Sequence, residues 1–155
     1  MPDAPPIEIE PTATFEVTIA TDKGDIVLAL DAALAPTTVN HFVVNARRGF
    51  YDGLTFHRVV PGFVIQGGDP EGSGRGGPGY KFADEPVRGT YTLGAVAMAN
   101  AGPDTNGSQF FICIDDCQTK LQPLYNLFGH VTSGIEVTQK IAVGDKMTSV
   151  TVTET

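Results

Sequence analysis

Tryptophan is absent from this chain of 155 residues, and cysteine nearly so, with two. Two thiols make no disulfide framework. Cys113 and Cys117 lie four apart in a strand-to-loop setting, a poor spacing for a bridge. They read as reduced thiols of a cytoplasmic protein. Basic residues are scarce too: 10 Lys and Arg stand against 18 Asp and Glu, a net charge of −8. A surface of that sign repels phosphate, which argues against nucleic acid or anionic membrane as the main partner. No apolar run reaches the roughly 20 residues of a membrane-spanning helix. Residues 1–11 carry neither a basic region nor an apolar core, so they do not read as a secretory signal. Residues 1–13 are expected to be a flexible tail rich in Pro and Glu. His41, His57 and His130 are scattered, and no third ligand completes a metal spacing. Neither a metal nor any other cofactor is expected.

Apolar content is sufficient for one core, at 41% of residues, and a single domain is expected over 14–155. Residues 15–19 and 25–30 fit strands about the turn Asp22-Lys23-Gly24-Asp25. Residues 35–48 fit a helix. Pro36 suits its first position, and Val39, Phe42, Val43 and Ala46 form one apolar stripe. Arg47 and Arg48 favour the negative end of its dipole, and Gly49 stops it. Further strands are expected over 54–60, 63–66, 91–99, 109–114, within 124–131, and over 147–153. Ser133-Gly-Ile-Glu136 has capping-box spacing and predicts a short helix over 135–142. About eight short strands and two helices make a mainly β fold, an antiparallel barrel with helices covering its ends.

Residues 51–69 are the unusual stretch: Tyr-Asp-Gly-Leu-Thr-Phe-His-Arg-Val-Val-Pro-Gly-Phe-Val-Ile-Gln-Gly-Gly-Asp. It reads as two strands joined at a Pro61-Gly62 corner. Alternation puts Arg58 on a face with Leu54, Phe56 and Val60, and His57 on the other with Thr55 and Val59. A guanidinium against apolar surface needs a partner. Alone, it reads as an edge Arg reaching water or a carboxylate. With Gln66 one corner away and rings between, the set describes an apolar groove with a few fixed donors. Residues 109–114 add a wall, with Gln109, Phe111 and Cys113 on one face and Phe110, Ile112 and Ile114 on the other. Gly94, Ala95, Ala97 and Ala99 leave room for something to approach. Gly72, Gly74 and Gly77 fit the spacing G-x-G-x-x-G, but no helix follows, and Pro78-Gly79 would break one. A phosphate cradle needs that helix start. The glycines instead permit a tight loop beside the groove.

Residues 51–68 closely resemble the signature of the cyclophilin-type peptidyl-prolyl isomerases. A second match follows in the family's order at 98–112, Met-Ala-Asn-Ala-Gly-Pro-Asp-Thr-Asn-Gly-Ser-Gln-Phe-Phe-Ile. The resemblance runs from about residue 15 to the C-terminus. It implies a closed eight-stranded antiparallel β-barrel capped by two α-helices. It also implies rotamase activity on X-Pro bonds that assists protein folding. The partners implied are proline-containing peptides and unfolded or partly folded proteins, bound by a monomer. By position, the resemblance makes Arg58 the catalytic cation and Gln66 the amide that steadies it and the substrate carbonyls. Phe63, Val64, Phe111 and Leu121 match the pocket for the proline ring. Asn100 and Ala101 match the backbone edge that pairs with an extended peptide. Gly72, Ala99 and Gln109 match the floor and side of the next subsite. Tyr125 stands where the better-known relatives have His, and offers an aromatic wall and a hydroxyl. Val64 stands where many relatives have Met. Lys120 replaces the family's usual pocket-rim Trp, which implies weak binding of cyclosporin. Alternation agrees for Val64 with Gln66 and for Gln109 with Phe111. It puts Phe63 on the wrong face, so a bulge or strong twist is expected near Pro61-Gly62. The same groove would also serve a module that holds extended proline segments with catalysis incidental.

Overall fold

The computed structural model describes residues 5–155. In chain order its elements are β1 (Thr14–Thr21), β2 (Gly24–Asp31), α1 (Pro36–Arg47), β3 (Arg58–Val60), β4 (Val64–Gly67), β5 (Ala95–Met98), β6 (Phe110–Cys113), β7 (Leu127–Ser133), α2 (Ile135–Thr138) and β8 (Ser149–Glu154). The eight strands form one antiparallel sheet in the order β3-β4-β6-β5-β7-β2-β1-β8. β1 and β2 are joined by Asp22 and Lys23, with Thr21 paired to Gly24. Period-two alternation explains their burial: Phe15, Val17 and Ile19 face Ile26, Leu28 and Leu30 in the core. α1 adds Val39, Phe42, Val43 and Ala46 to the same core. The Phe42 ring meets Tyr51 at 4.8 Å, Phe110 at 5.4 Å and Phe128 at 5.5 Å. Among the described residues no helix is long and apolar enough to cross a membrane.

The sheet curls but does not close, which corrects the expected closed barrel. Its edge strands β3 and β8 are not paired with each other. The gap is spanned by irregular backbone bonds between 53–56 and 144–147, with a single bridge at Thr55 and Lys146. Gly53 donates to Met147, Met147 to Leu54, and Phe56 to Asp145, at 2.7, 2.8 and 2.9 Å. Most of the expected strand over 54–60 is spent on this crossing, and only Arg58–Val60 joins the ladder.

Two further expectations change. α2 is shorter than 135–142, and its N-cap is Gly134 at φ 86, with no side-chain cap bond. The capping box does not form because Ser133 is the last residue of β7, paired to Val27. As for the expected tail over 1–13, residues 1–4 lie outside the described residues. Beyond them, Asn40 on α1 accepts from the Glu8 N–H at 2.8 Å and donates to the Pro6 carbonyl at 3.1 Å. Ile9 is buried in the core.

A second, smaller cluster sits on the other face of β4, β6 and β5. Val64, Ala95, Ala97, Phe111 and Cys113 build it, with Tyr91, Cys117 and Leu127. Alternation sends Ile65, Val96, Met98, Phe110 and Ile112 to the main core instead. This outer cluster is the bed on which the candidate site rests.

Candidate active site

Strand register assembles the site. Arg58 pairs with Gln66, Gln66 with Phe111, and Phe111 with Ala97, one residue from each of four neighbouring strands. Paired residues share a face, so cation, amide, ring and methyl form a row across the sheet. A parallel row holds Val60, Val64 and Cys113. Above them lies a cavity of about 240 Å³. Arg58, Phe63, Val64, Gln66 and Phe111 line it, together with Ala99, Asn100, Leu121 and Tyr125.

Phe63 reaches that cavity without a bulge. The β3–β4 register runs unbroken, 58 with 66, 59 with 65 and 60 with 64. Between the strands, Val60-Pro61-Gly62-Phe63 is a tight turn, with the Phe63 N–H on the Val60 carbonyl at 3.0 Å. Gly62 has φ 72, the left-handed value this turn needs after a proline. Phe63 therefore precedes the pleat of β4 and escapes its alternation. The expected face of Arg58 is also corrected. Phe56 and Leu54 pack with the main core, whereas Arg58 is exposed. The irregular crossing at 53–56 lets the side-chain direction reverse before β3 begins.

Arg58 is held by a directional relay. Its Nη1 donates to Gln66 Oε1 at 3.2 Å. Gln66 Nε2 donates to Gln109 Oε1 at 3.1 Å, and Gln109 Nε2 to the Gly76 carbonyl at 3.0 Å. Each amide accepts at oxygen and donates at nitrogen, so the chain has one sense throughout. Among the described residues the only ion pair is Lys23 with Asp145, so no carboxylate neutralises Arg58. Among the described residues its remaining N–H groups have no hydrogen-bond partner, and its side chain lines the cavity.

The walls are fixed by less obvious groups. Phe111 and Tyr125 meet edge to face at 5.4 Å. The Tyr91 hydroxyl donates to the Tyr125 carbonyl at 2.6 Å and accepts its N–H at 3.2 Å. Burial raises the Tyr91 pKa, which keeps that proton in place. Sequence reasoning passed over Tyr91, because its partner lies 34 residues away. At the rim, Lys120 Nζ donates to the Gly62 carbonyl at 2.6 Å and stands 5.9 Å from the Phe63 ring centroid.

A neighbouring cavity of about 460 Å³ shares Gln66, Ala99 and Asn100 with the first. Gln109 and Ala101 line this one and not the other. The Ala101 N–H is taken by Thr105 Oγ1 at 2.7 Å, while among the described residues the Ala101 carbonyl is unpaired. Asn100 is better placed. Its side chain donates to the Leu124 carbonyl at 2.9 Å, and among the described residues its own main-chain N–H and C=O are unpaired. Gly72 lines neither cavity; it lies exposed in the 69–77 loop at φ 67. His57 is half-buried beside that loop, and burial lowers its pKa. Cys113 and Cys117 are both buried and free, and burial raises both thiol pKa values. Neither is a nucleophile at neutral pH.

The site thus offers a pocket with apolar walls from Phe63, Val64, Phe111 and Leu121, a cation held by hydrogen bonds and a peptide edge, with no activated nucleophile among the described residues. That is the equipment for turning a bond, not for cutting one. Comparison with known proteins agrees. Residues 16–155 match the model of the family described as cyclophilin type peptidyl-prolyl cis-trans isomerase/CLD. The chain belongs to this family, and isomerisation of the peptidyl-prolyl bond is its activity. Among relatives, peptidyl-prolyl cis-trans isomerase B of Bacillus subtilis is 50% identical over 133 residues, which cover 84% of this chain and 92% of that protein. The peptidyl-prolyl cis-trans isomerase of Helicobacter pylori is 46% identical over 147 residues, covering 92% of this chain and 90% of that protein. A crystal structure of a cyclophilin type isomerase from Cryptosporidium parvum superposes with a TM-score of 0.83 at 30% identity, covering 90% of this chain and 98% of that one.

Proposed function

We propose that Arg58 is the catalytic residue and that the 240 Å³ cavity receives the proline ring of an extended peptide. Amide resonance sets the problem. Rotation about X-Pro faces a barrier of roughly 18–20 kcal/mol, although cis and trans differ by only about 0.5–1 kcal/mol. A catalyst therefore needs to bind the twisted amide better than either planar form. Twisting makes the prolyl nitrogen pyramidal and localises its lone pair. A guanidinium N–H aimed at that nitrogen stabilises the twisted state selectively. Each ~1.4 kcal/mol gained in this way is worth about tenfold in rate. Phe63, Val64, Phe111 and Leu121 would grip the ring, and Asn100 would pair its backbone with the peptide. The observation that carries this reading is the relay: Gln66 holds Arg58 over the pocket with no carboxylate to draw it away.

Proline-containing peptides and partly folded proteins are the substrates of this reading. A second Cryptosporidium parvum structure, obtained in the presence of the dipeptide Ala-Pro, superposes with a TM-score of 0.82 at 31% identity and is consistent with it. Action as a monomer is part of this reading. The net charge of −8 supports no role for nucleic acid or anionic membrane. Two free thiols support a reducing, cytoplasmic setting. Cyclosporin would bind weakly, with Lys120 at the rim in place of an indole. Exchange spectroscopy on an Ala-Pro peptide tests the reading. Wild-type protein at low concentration should bring cis and trans signals into measurable exchange. Tight peptide binding without faster exchange would identify a holding module instead.

A further inference from the structure

The relay that holds Arg58 ends on a main-chain carbonyl, that of Gly76, in a glycine-rich loop whose residues 71–75 are exposed. Such a loop is a poor anchor unless something fixes it. Asp69 is what fixes it. Its side chain is buried, at 1% exposure, and its carboxylate faces inward on the loop's own main chain. Oδ1 accepts the Glu71 N–H at 2.8 Å. Oδ2 accepts the Ser73 N–H at 2.9 Å, the Ser73 hydroxyl at 3.4 Å and the Gly74 N–H. The Asp69 carbonyl takes the Gly72 N–H at 3.0 Å. Gly76 lies so close that a Cβ there would overlap Asp69 Oδ1 and stand 2.8 Å from Glu71 Oε2.

We infer that Asp69 is a positioning residue for isomerisation: by gathering the loop's N–H groups it sets the Gly76 carbonyl, and so Gln109, Gln66 and Arg58 in turn. A carboxylate suits this task because both of its oxygens only accept. Asparagine has the same shape but presents an NH₂ to a ring of N–H donors. Charge-assisted bonds also resist the loop's motion more than neutral ones. Asp69 touches no cavity itself, so it acts only through the relay.

The inference rests on the isomerase reading above, and a double-mutant cycle in the full chain tests it. Exchange rates on an Ala-Pro peptide would be measured for wild type, D69N, Q109L and the double variant. We expect D69N to lower kcat about tenfold, with KM within about twofold. On the Q109L background the relay is already cut, so D69N should cost little more. G76A, which crowds the same carboxylate, should reproduce the kcat loss, and D69S replaces D69N in the cycle if that variant does not fold. A D69N kcat equal to wild type overturns the inference. So do losses in D69N and Q109L that simply multiply, which would mark Asp69 as a general stabiliser. A wild-type protein inactive on the peptide would instead sink the isomerase reading itself.

Discussion

Arg58 and Phe56 stand two apart, yet one opens to the groove and the other fills the core. Alternation predicted a shared face, and it held only where a ladder enforces it. Gln66, Phe111 and Val64 were legible for that reason, being ladder residues. Phe63 and Arg58 depended on a turn and a crossing whose geometry no period encodes. Asp69 was invisible as a functional residue, because most of its partners are main-chain N–H groups. Burial alone would raise its carboxyl pKa, but the N–H groups of Glu71, Gly76, Gly74 and Ser73 outweigh this and hold it below its ordinary value. A lowered carboxyl adds stability that is complete above the ordinary value, shrinks as pH falls below it, and is gone once pH passes the lower folded value. Thermal melts across an acid series should therefore show D69N less stable than wild type near neutrality, with the gap closing as pH falls. A gap independent of pH would refute the assignment. At the rim, Lys120→Trp should tighten cyclosporin binding by roughly a few-fold to tenfold, by adding a ring beside Phe63. Calorimetric titration of both proteins checks this; equal affinities would count against the rim argument.

At the scale of elements, α1 shows what sequence could and could not say. Its proline at the first position and its apolar stripe were readable. Its cap was not. Ala35 at the N-cap makes no side-chain bond. Glu85 supplies the acceptor instead, taking the Thr37 N–H at 3.0 Å, the Thr38 N–H at 2.7 Å and the Thr38 hydroxyl at 2.7 Å. Buried Asn126 joins the arrangement, accepting the Glu85 N–H and donating to Thr38 Oγ1, both at 2.9 Å. The two partners of this cap lie 47 residues apart, beyond any local motif. Negative charge at a helix N-terminus is favourable, and its loss leaves N–H donors unpaired. E85A should cost about 1–2 kcal/mol of stability and leave kcat unchanged, as read by urea melts and peptide exchange. A stability equal to wild type would show the cap to be idle. α2 errs the other way: its capping-box letters are present, but Ser133 is committed to β7.

For the molecule as a whole, strand content and order of motifs made the mainly β fold legible, while closure was not. Closure depends on the edges meeting, and here β3 is only three residues long. The edges are instead tied by the loop crossing at 53–56 and 144–147, which leaves β3 short and Arg58 at a border open to solvent. The outer cluster under the groove contains both thiols, at 0% exposure. Their alkylation should therefore wait on opening of the fold, Cys117 in its loop ahead of Cys113 in β6. Mass spectrometry after timed labelling reads the order, and simultaneous labelling would contradict it. The central claim is that this scaffold exists to hold one guanidinium over a proline pocket. Its most direct test is the cis–trans exchange rate of an Ala-Pro peptide saturated with R58A, with the fold followed by circular dichroism. The account predicts a folded variant that still binds peptide but turns it over about a hundredfold or more slowly. A folded R58A as fast as wild type would contradict it.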